Sequence, residues 1–168
     1  EFHDASYQNL ADCGLPDHIT GIKQLAARYP YIDLSRVGIY GKSAGGFMAA
    51  QAMLTYPEFF KTGVAASGNH DCRLYGSFWG EKYEGYPVTD RYLEQVTALK
   101  ASNLTGDLLL ITGDMDDNVH PSMTMQLADA LEKAGKKYDL MVFTNKNHDL
   151  NYDPYYLKTM MRYFLTNL

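Results

Sequence analysis

Ser43 stands in Gly41-Lys42-Ser43-Ala44-Gly45-Gly46, a serine with glycine two residues before it and glycine two residues after. A serine hydroxyl is a weak nucleophile until a neighbouring base takes its proton. A turn sharp enough to expose it leaves little room for side chains where strand meets helix, so glycine belongs on both flanks. The base and its orienting acid must come from elsewhere in the chain. Downstream, Asp114, Asp116 and Asp117 crowd the run Asp114-Met115-Asp116-Asp117-Asn118-Val119, and His148 lies in Thr144-Asn145-Lys146-Asn147-His148-Asp149. The order serine, acid, histidine is that of a nucleophilic triad on an α/β sheet, and its chemistry is acyl transfer to the serine followed by hydrolysis. His3 and His18 precede the serine, His70 follows a different apolar run and His120 opens a helix, so His148 is the histidine in the right place. Any of the three aspartates would also suit the positive end of the helix that follows them, which leaves the acid open among them.

Those positions need a scaffold, and the apolar pattern supplies one. Short apolar runs at 36–40, 63–66, 108–112 and 139–143 predict strands, and stretches at 16–29, 44–56, 88–98, 120–134 and 154–167 predict helices. Strands that alternate with helices and are apolar on both faces imply an α/β fold with a mostly parallel sheet and helices on both sides. Ser43, the aspartate cluster and His148 each follow one of these runs directly. Helix 120–134 carries Pro121 in its first turn, Gly135 just past its end, and Met123, Leu127, Ala130, Leu131 and Ala134 on one face. The last helix opens at Asp153-Pro154 and turns Leu157, Met160, Met161, Phe164 and Leu168 inward. Between the second and third strands, residues 72–87 are dense in aromatics without a clear period, which predicts a structured loop covering a pocket.

Composition removes several other functions. With 168 residues the chain is one domain or part of one, and a net charge of −5 with no basic run interleaved with aromatics argues against a nucleic-acid surface. No apolar stretch is long enough to span a membrane. Cys13 and Cys72 are the only cysteines, so neither a disulfide framework nor a thiolate metal site is expected. His120 beside Asp116 and Asp117 mimics a metal cluster only in outline. No cofactor or metal is expected.

Taken together, Gly41 to Gly46, the string Gly113-Asp114-Met115-Asp116-Asp117-Asn118-Val119-His120, and His148 resemble the catalytic domain of the prolyl oligopeptidase family, in particular its dipeptidyl peptidase IV and acylaminoacyl peptidase branches. The separations, 73 residues from Ser43 to Asp116 and 32 from Asp116 to His148, fit that layout, and the resemblance runs nearly end to end. It implies that Asp116 is the acid. The N–H of Ala44, immediately after the nucleophile, is expected to be one oxyanion donor. The family's second donor is a tyrosine on a loop well before the elbow, yet only 42 residues precede Ser43 here. The expectation is therefore the C-terminal half of an α/β-hydrolase domain, without the family's N-terminal β-propeller and first sheet strands. Tyr75 and Trp79 fall where that family's pocket tyrosines lie, which implies a slot for proline or another small apolar residue at P1. Asn118, with Val119 beside it, would contact substrate. Lys42 and Ala44 depart from the large aromatics that usually flank the serine. The implied activity is a serine peptidase acting on short peptides, with an ester hydrolase or a catalytically silent assembly module as alternatives. The implied partners are peptide substrate and either a second copy of the chain or the N-terminal part of the fold.

Overall fold

The computed structural model describes residues 3–168; Glu1 and Phe2, the head of the polar stretch before the first helix, lie outside the described residues. Four strands, β1 (Val37–Lys42), β2 (Phe60–Ala66), β3 (Asp107–Gly113) and β4 (Asp139–Phe143), form one sheet in the order β1-β2-β3-β4, every neighbouring pair parallel. Parallel neighbours require a crossover between them. Helix α2 (Ala44–Thr55) links β1 to β2, α5 (Ser122–Lys133) links β3 to β4, and α1 (Leu15–Arg28) and α6 (Pro154–Asn167) flank the set.

Side-chain alternation along β3 shows why its sequence is a continuous apolar run. Leu108 and Leu110 join the cluster containing Leu15 and Ile19 of α1, Met53 and Leu54 of α2, and Leu127 and Leu131 of α5. Leu109 and Ile111 point to the opposite face, where Phe143, Leu150, Tyr156 and Met160 cover them. The period of two thus sends alternate residues into two cores, and both must be apolar. Helix α2 is buried on nearly all sides, and even its Gln51 is 0% exposed. That amide is satisfied by the carbonyl of Gln95 at 2.6 Å, by Thr97 Oγ1 at 3.1 Å and by the ammonium of Lys100 at 2.9 Å.

The structure departs from the sequence expectation between β2 and β3. Residues 72–87 are not irregular throughout, since α3 (Ser77–Glu84) occupies half of them. The expected helix 88–98 is instead a short α4 (Asp90–Glu94) followed by a 3-10 helix, Thr97–Asn103. The break has a local cause. Val96 is extended (φ −65°, ψ 116°), Gln51 captures the carbonyl of Gln95, and the N–H of Thr97 donates to the carbonyl of His70 at 3.0 Å. Those backbone groups serve tertiary contacts, so the helical ladder cannot continue through them.

Candidate active site

Ser43 is the hinge between β1 and α2, and its backbone is held at φ 60°, ψ −125°. For a residue with a Cβ this region is sparsely populated and costs of order 1–3 kcal/mol, so surrounding contacts must enforce it. They do so through two glycines. A Cβ on Gly41 would come within 2.2 Å of the carbonyl oxygen of Gly45, and one on Gly46 would meet the carbonyl oxygen of Ala66 at the same distance. The Ser43 N–H donates to Ala66 at 2.8 Å, which ties the turn to β2. Gly45 has open space where its Cβ would lie, so only its backbone needs the close approach. Ala44 begins α2 and is exposed, and the first N–H groups of a helix have no carbonyl within it to bond.

The three aspartates after β3 are separated by burial. Asp114 and Asp117 are exposed, whereas Asp116 is 3% exposed. One carboxylate oxygen of Asp116 accepts from the N–H groups of Asn118 at 3.1 Å and Val119 at 2.9 Å. Its other oxygen lies 2.8 Å from Nδ1 of His148. The aspartate is thereby fixed from one side and free to orient the imidazole from the other. Asp114 instead accepts from the N–H of Lys146 at 3.3 Å and braces the histidine loop, while Met115 donates to the Lys146 carbonyl at 3.0 Å. His148 is 9% exposed and Ser43 is partly exposed. The structure joins histidine to acid by a direct side-chain bond. It joins the histidine loop to the elbow by the Lys42 ammonium, 3.0 Å from the carbonyl of His148. His120 is turned away into a local role, its Nδ1 accepting from the N–H of Ser122 at 3.2 Å at the start of α5. Among the described residues, no group of three His, Cys, Asp or Glu side chains is placed to hold a metal ion.

The aromatic segment reaches the same place. Tyr75 donates its hydroxyl to Asn118 Oδ1 at 2.6 Å, and its ring packs edge-on against Trp79 at 5.6 Å, which in turn meets Tyr83 at 5.0 Å. Tyr75, Trp79 and Asn118 are thus brought together beside Asp116. Val119 is placed differently, with its side chain 1% exposed and its N–H on Asp116. Aromatics at 75, 79 and 83 recur every four residues, a helical spacing that the sequence reading of 72–87 as an aperiodic loop overlooked.

A second feature beside the elbow was not apparent as more than a histidine after a strand. The ring of His70 is 2% exposed and neither of its nitrogens has a hydrogen-bond partner among the described residues. A Cβ on Gly68 would sit 2.6 Å from that ring and 2.8 Å from the N–H nitrogen of Phe47, so the imidazole, the turn after β2 and the first turn of α2 are in close contact. Burial holds the imidazole pKa down at about 4, hence neutral near pH 7.

The model of the prolyl oligopeptidase family matches residues 1–168, the whole chain. The chain belongs to the prolyl oligopeptidase family. Dipeptidyl peptidase 8 of Homo sapiens is 32% identical over 156 residues, covering 89% of this chain and 17% of that protein. Inactive dipeptidyl peptidase 10 of Rattus norvegicus is 32% identical over 154 residues, covering 88% of this chain and 19% of that protein. The solved structure of Porphyromonas gingivalis dipeptidyl peptidase 4 superposes with a TM-score of 0.85 at 30% identity, over 97% of this chain and 24% of that one. The chain therefore spans about a fifth of the length of these family members. Its sheet and flanking helices are those of an α/β-hydrolase fold, and the family is one of dipeptidyl peptidase-like serine hydrolases.

Proposed function

We propose that this chain carries the catalytic triad of a serine peptidase, with Ser43 as nucleophile, His148 as general base and Asp116 as orienting acid. The observation that supports it most is the buried 2.8 Å contact between His148 Nδ1 and Asp116, at the same sheet edge as a serine in a strained strand-to-helix turn. With Nδ1–H donated to Asp116, Nε2 is the ring atom left to take the Ser43 proton. The serine oxygen then bonds to the substrate carbonyl carbon, and the carbonyl π pair moves onto its oxygen. The N–H of Ala44, at the positive end of α2, meets the developing oxyanion. Collapse expels the amine, which takes the proton from His148, and water repeats the sequence on the acyl-enzyme.

Tyr75 and Trp79 form one wall of the P1 slot, which suits proline or alanine, and Asn118 contacts a substrate carbonyl while Tyr75 holds its amide in place. Val119 serves through its N–H on Asp116.

The test is a fluorophosphonate probe on the intact protein, followed by comparison of an Ala-Pro amide with a short acyl ester. Labelling at Ser43 that disappears in Ser43→Ala, with faster turnover of the amide, is the expected result. Preference for the ester would make the protein an ester hydrolase on the same fold. A folded protein that never labels would place it with relatives such as the inactive dipeptidyl peptidase.

A further inference from the structure

Lys42 is the last residue of β1, paired in register with Ala66 of β2 and followed by Ser43. An ammonium at such a position either extends into water or finds an acceptor. Here the side chain is 13% exposed, and Nζ donates to the carbonyl of His148 at 3.0 Å, across 106 residues of sequence. The carboxylate of Asp149 lies 3.8 Å away but is 83% exposed, and an ion pair in that setting contributes little. The contact that counts is thus the charge-assisted bond to the backbone. The same carbonyl also accepts from the N–H of Leu150 at 3.0 Å, so both of its lone pairs are engaged.

The other ties on the histidine loop run elsewhere. The N–H of Lys146 goes to Asp114, the carbonyl of Lys146 takes the N–H of Met115, and the His148 ring goes to Asp116. All three fasten the loop to the acid loop after β3. Lys42 alone among these contacts fastens it to the strand that carries the nucleophile. We propose that Lys42 is a positioning residue, one that sets the distance between the His148 imidazole and Ser43 by holding the His148 backbone to the end of β1. This role rests on the triad reading above. Its consequence is that two loops leaving different strands act as one unit. A base displaced by 1 Å can cost about 10²-fold in rate, so a single backbone anchor is enough to matter.

Lys42→Met in the intact protein removes the donor and keeps the stem. Fluorophosphonate labelling of Ser43 and kcat are expected to fall by between about 10- and 100-fold, with KM held within about threefold. Backbone amide exchange over residues 146–150 is expected to quicken in the same variant. Lys42→Arg, which restores a charged donor, should recover most of the labelling rate, and Asp149→Ala should leave it near the parent value. Labelling of Lys42→Met at the parental rate would overturn the proposal, as would slower labelling with exchange over 146–150 unchanged. Should Lys42→Met not fold, Lys42→Gln is read by the same two measurements. Failure of the triad itself looks different, because the parent protein would then not label at all or Ser43→Ala would still label.

Discussion

His70 provides a prediction whose size can be worked out from burial. Its ring is 2% exposed, has no hydrogen-bond partner among the described residues, and keeps a pKa of about 4 because burial disfavours the charged form. In the unfolded chain the same ring titrates at about 6.5. As pH falls below about 6.5 the unfolded state gains a proton that the folded state refuses until about pH 4, so folding stability is full above that window and declines through it. The difference of about 2.5 pH units, at 1.36 kcal/mol each, gives a loss of about 3 kcal/mol from this one group. Set against a typical total of about 5–15 kcal/mol, that loss is large. His70→Leu removes the titration. Since neither ring nitrogen has a bond to lose, the variant should be as stable as the parent near neutral pH or more so. Urea unfolding midpoints of both proteins, taken at half-unit steps from about pH 7.5 to 4, measure the effect. Groups that titrate in both cancel in the difference. Curves that run parallel through this window would refute the reasoning, because they would mean the imidazole is hydrated or protonated in the folded state.

Gly46→Ala should destabilise the protein by about 1–3 kcal/mol or more, since the added Cβ would meet the Ala66 carbonyl at 2.2 Å, while Gly45→Ala meets nothing and should gain from the better helix former; thermal melts of the two variants separate them. Asp116→Asn is expected to lower kcat by about 10⁴-fold with little change in folding, because the amide misorients the imidazole that the carboxylate holds at 2.8 Å, and steady-state kinetics on a dipeptide amide will show it. Tyr75→Phe removes the 2.6 Å bond to Asn118 and should raise KM by about 2- to 10-fold while kcat holds, in the same assay.

The four strands were legible because each is a largely apolar run bounded by turns; burial on both faces demands that pattern in β2 and β3, whereas the edge strands β1 and β4 leave Tyr40, Leu140 and Val142 exposed. Structure extended the second strand back from 63 to Phe60, where apolar content falls and the pairing of Phe60 with Val37 and of Thr62 with Gly38 and Asp107 defines the strand. The elbow, the acid loop and the histidine loop were legible for a related reason: a residue that must stand at the end of a strand is marked by the strand. What stayed hidden depends on contacts distant in sequence. Nothing in residues 88–98 reveals that Gln51 and His70 will claim the backbone at 95 and 97, and so the expected helix broke there. Choosing Asp116 over its neighbours required the family resemblance at the level of sequence, whereas in the fold burial and two backbone N–H bonds distinguish it. The lysine before Ser43 looked like a departure from pattern, and its partner could be found only once the sheet brought residue 148 beside it.

The sheet does more for the site than carry it. Past the last residue of three strands, one further N–H still bonds across the ladder: Ser43 to Ala66 at 2.8 Å, Ser67 to Ile111 at 2.8 Å, and Asp114 to Phe143 at 3.1 Å. The first residue of each loop is therefore registered by the neighbouring strand before the chain turns. Two of the three turn at once, Ser43 with φ 60° and Ser67 with φ 45°, conformations that a loose loop would relax. Because a one-residue slip would reverse every side chain along these strands, and both faces of β2 and β3 are packed, the register is strongly fixed. That rigidity passes to the elbow and the acid loop directly. The histidine follows β4 at more of a distance, after four loop residues, so its placement depends on side chains, and for that reason Asp116 and Lys42 are the two positions where small changes should move His148 most.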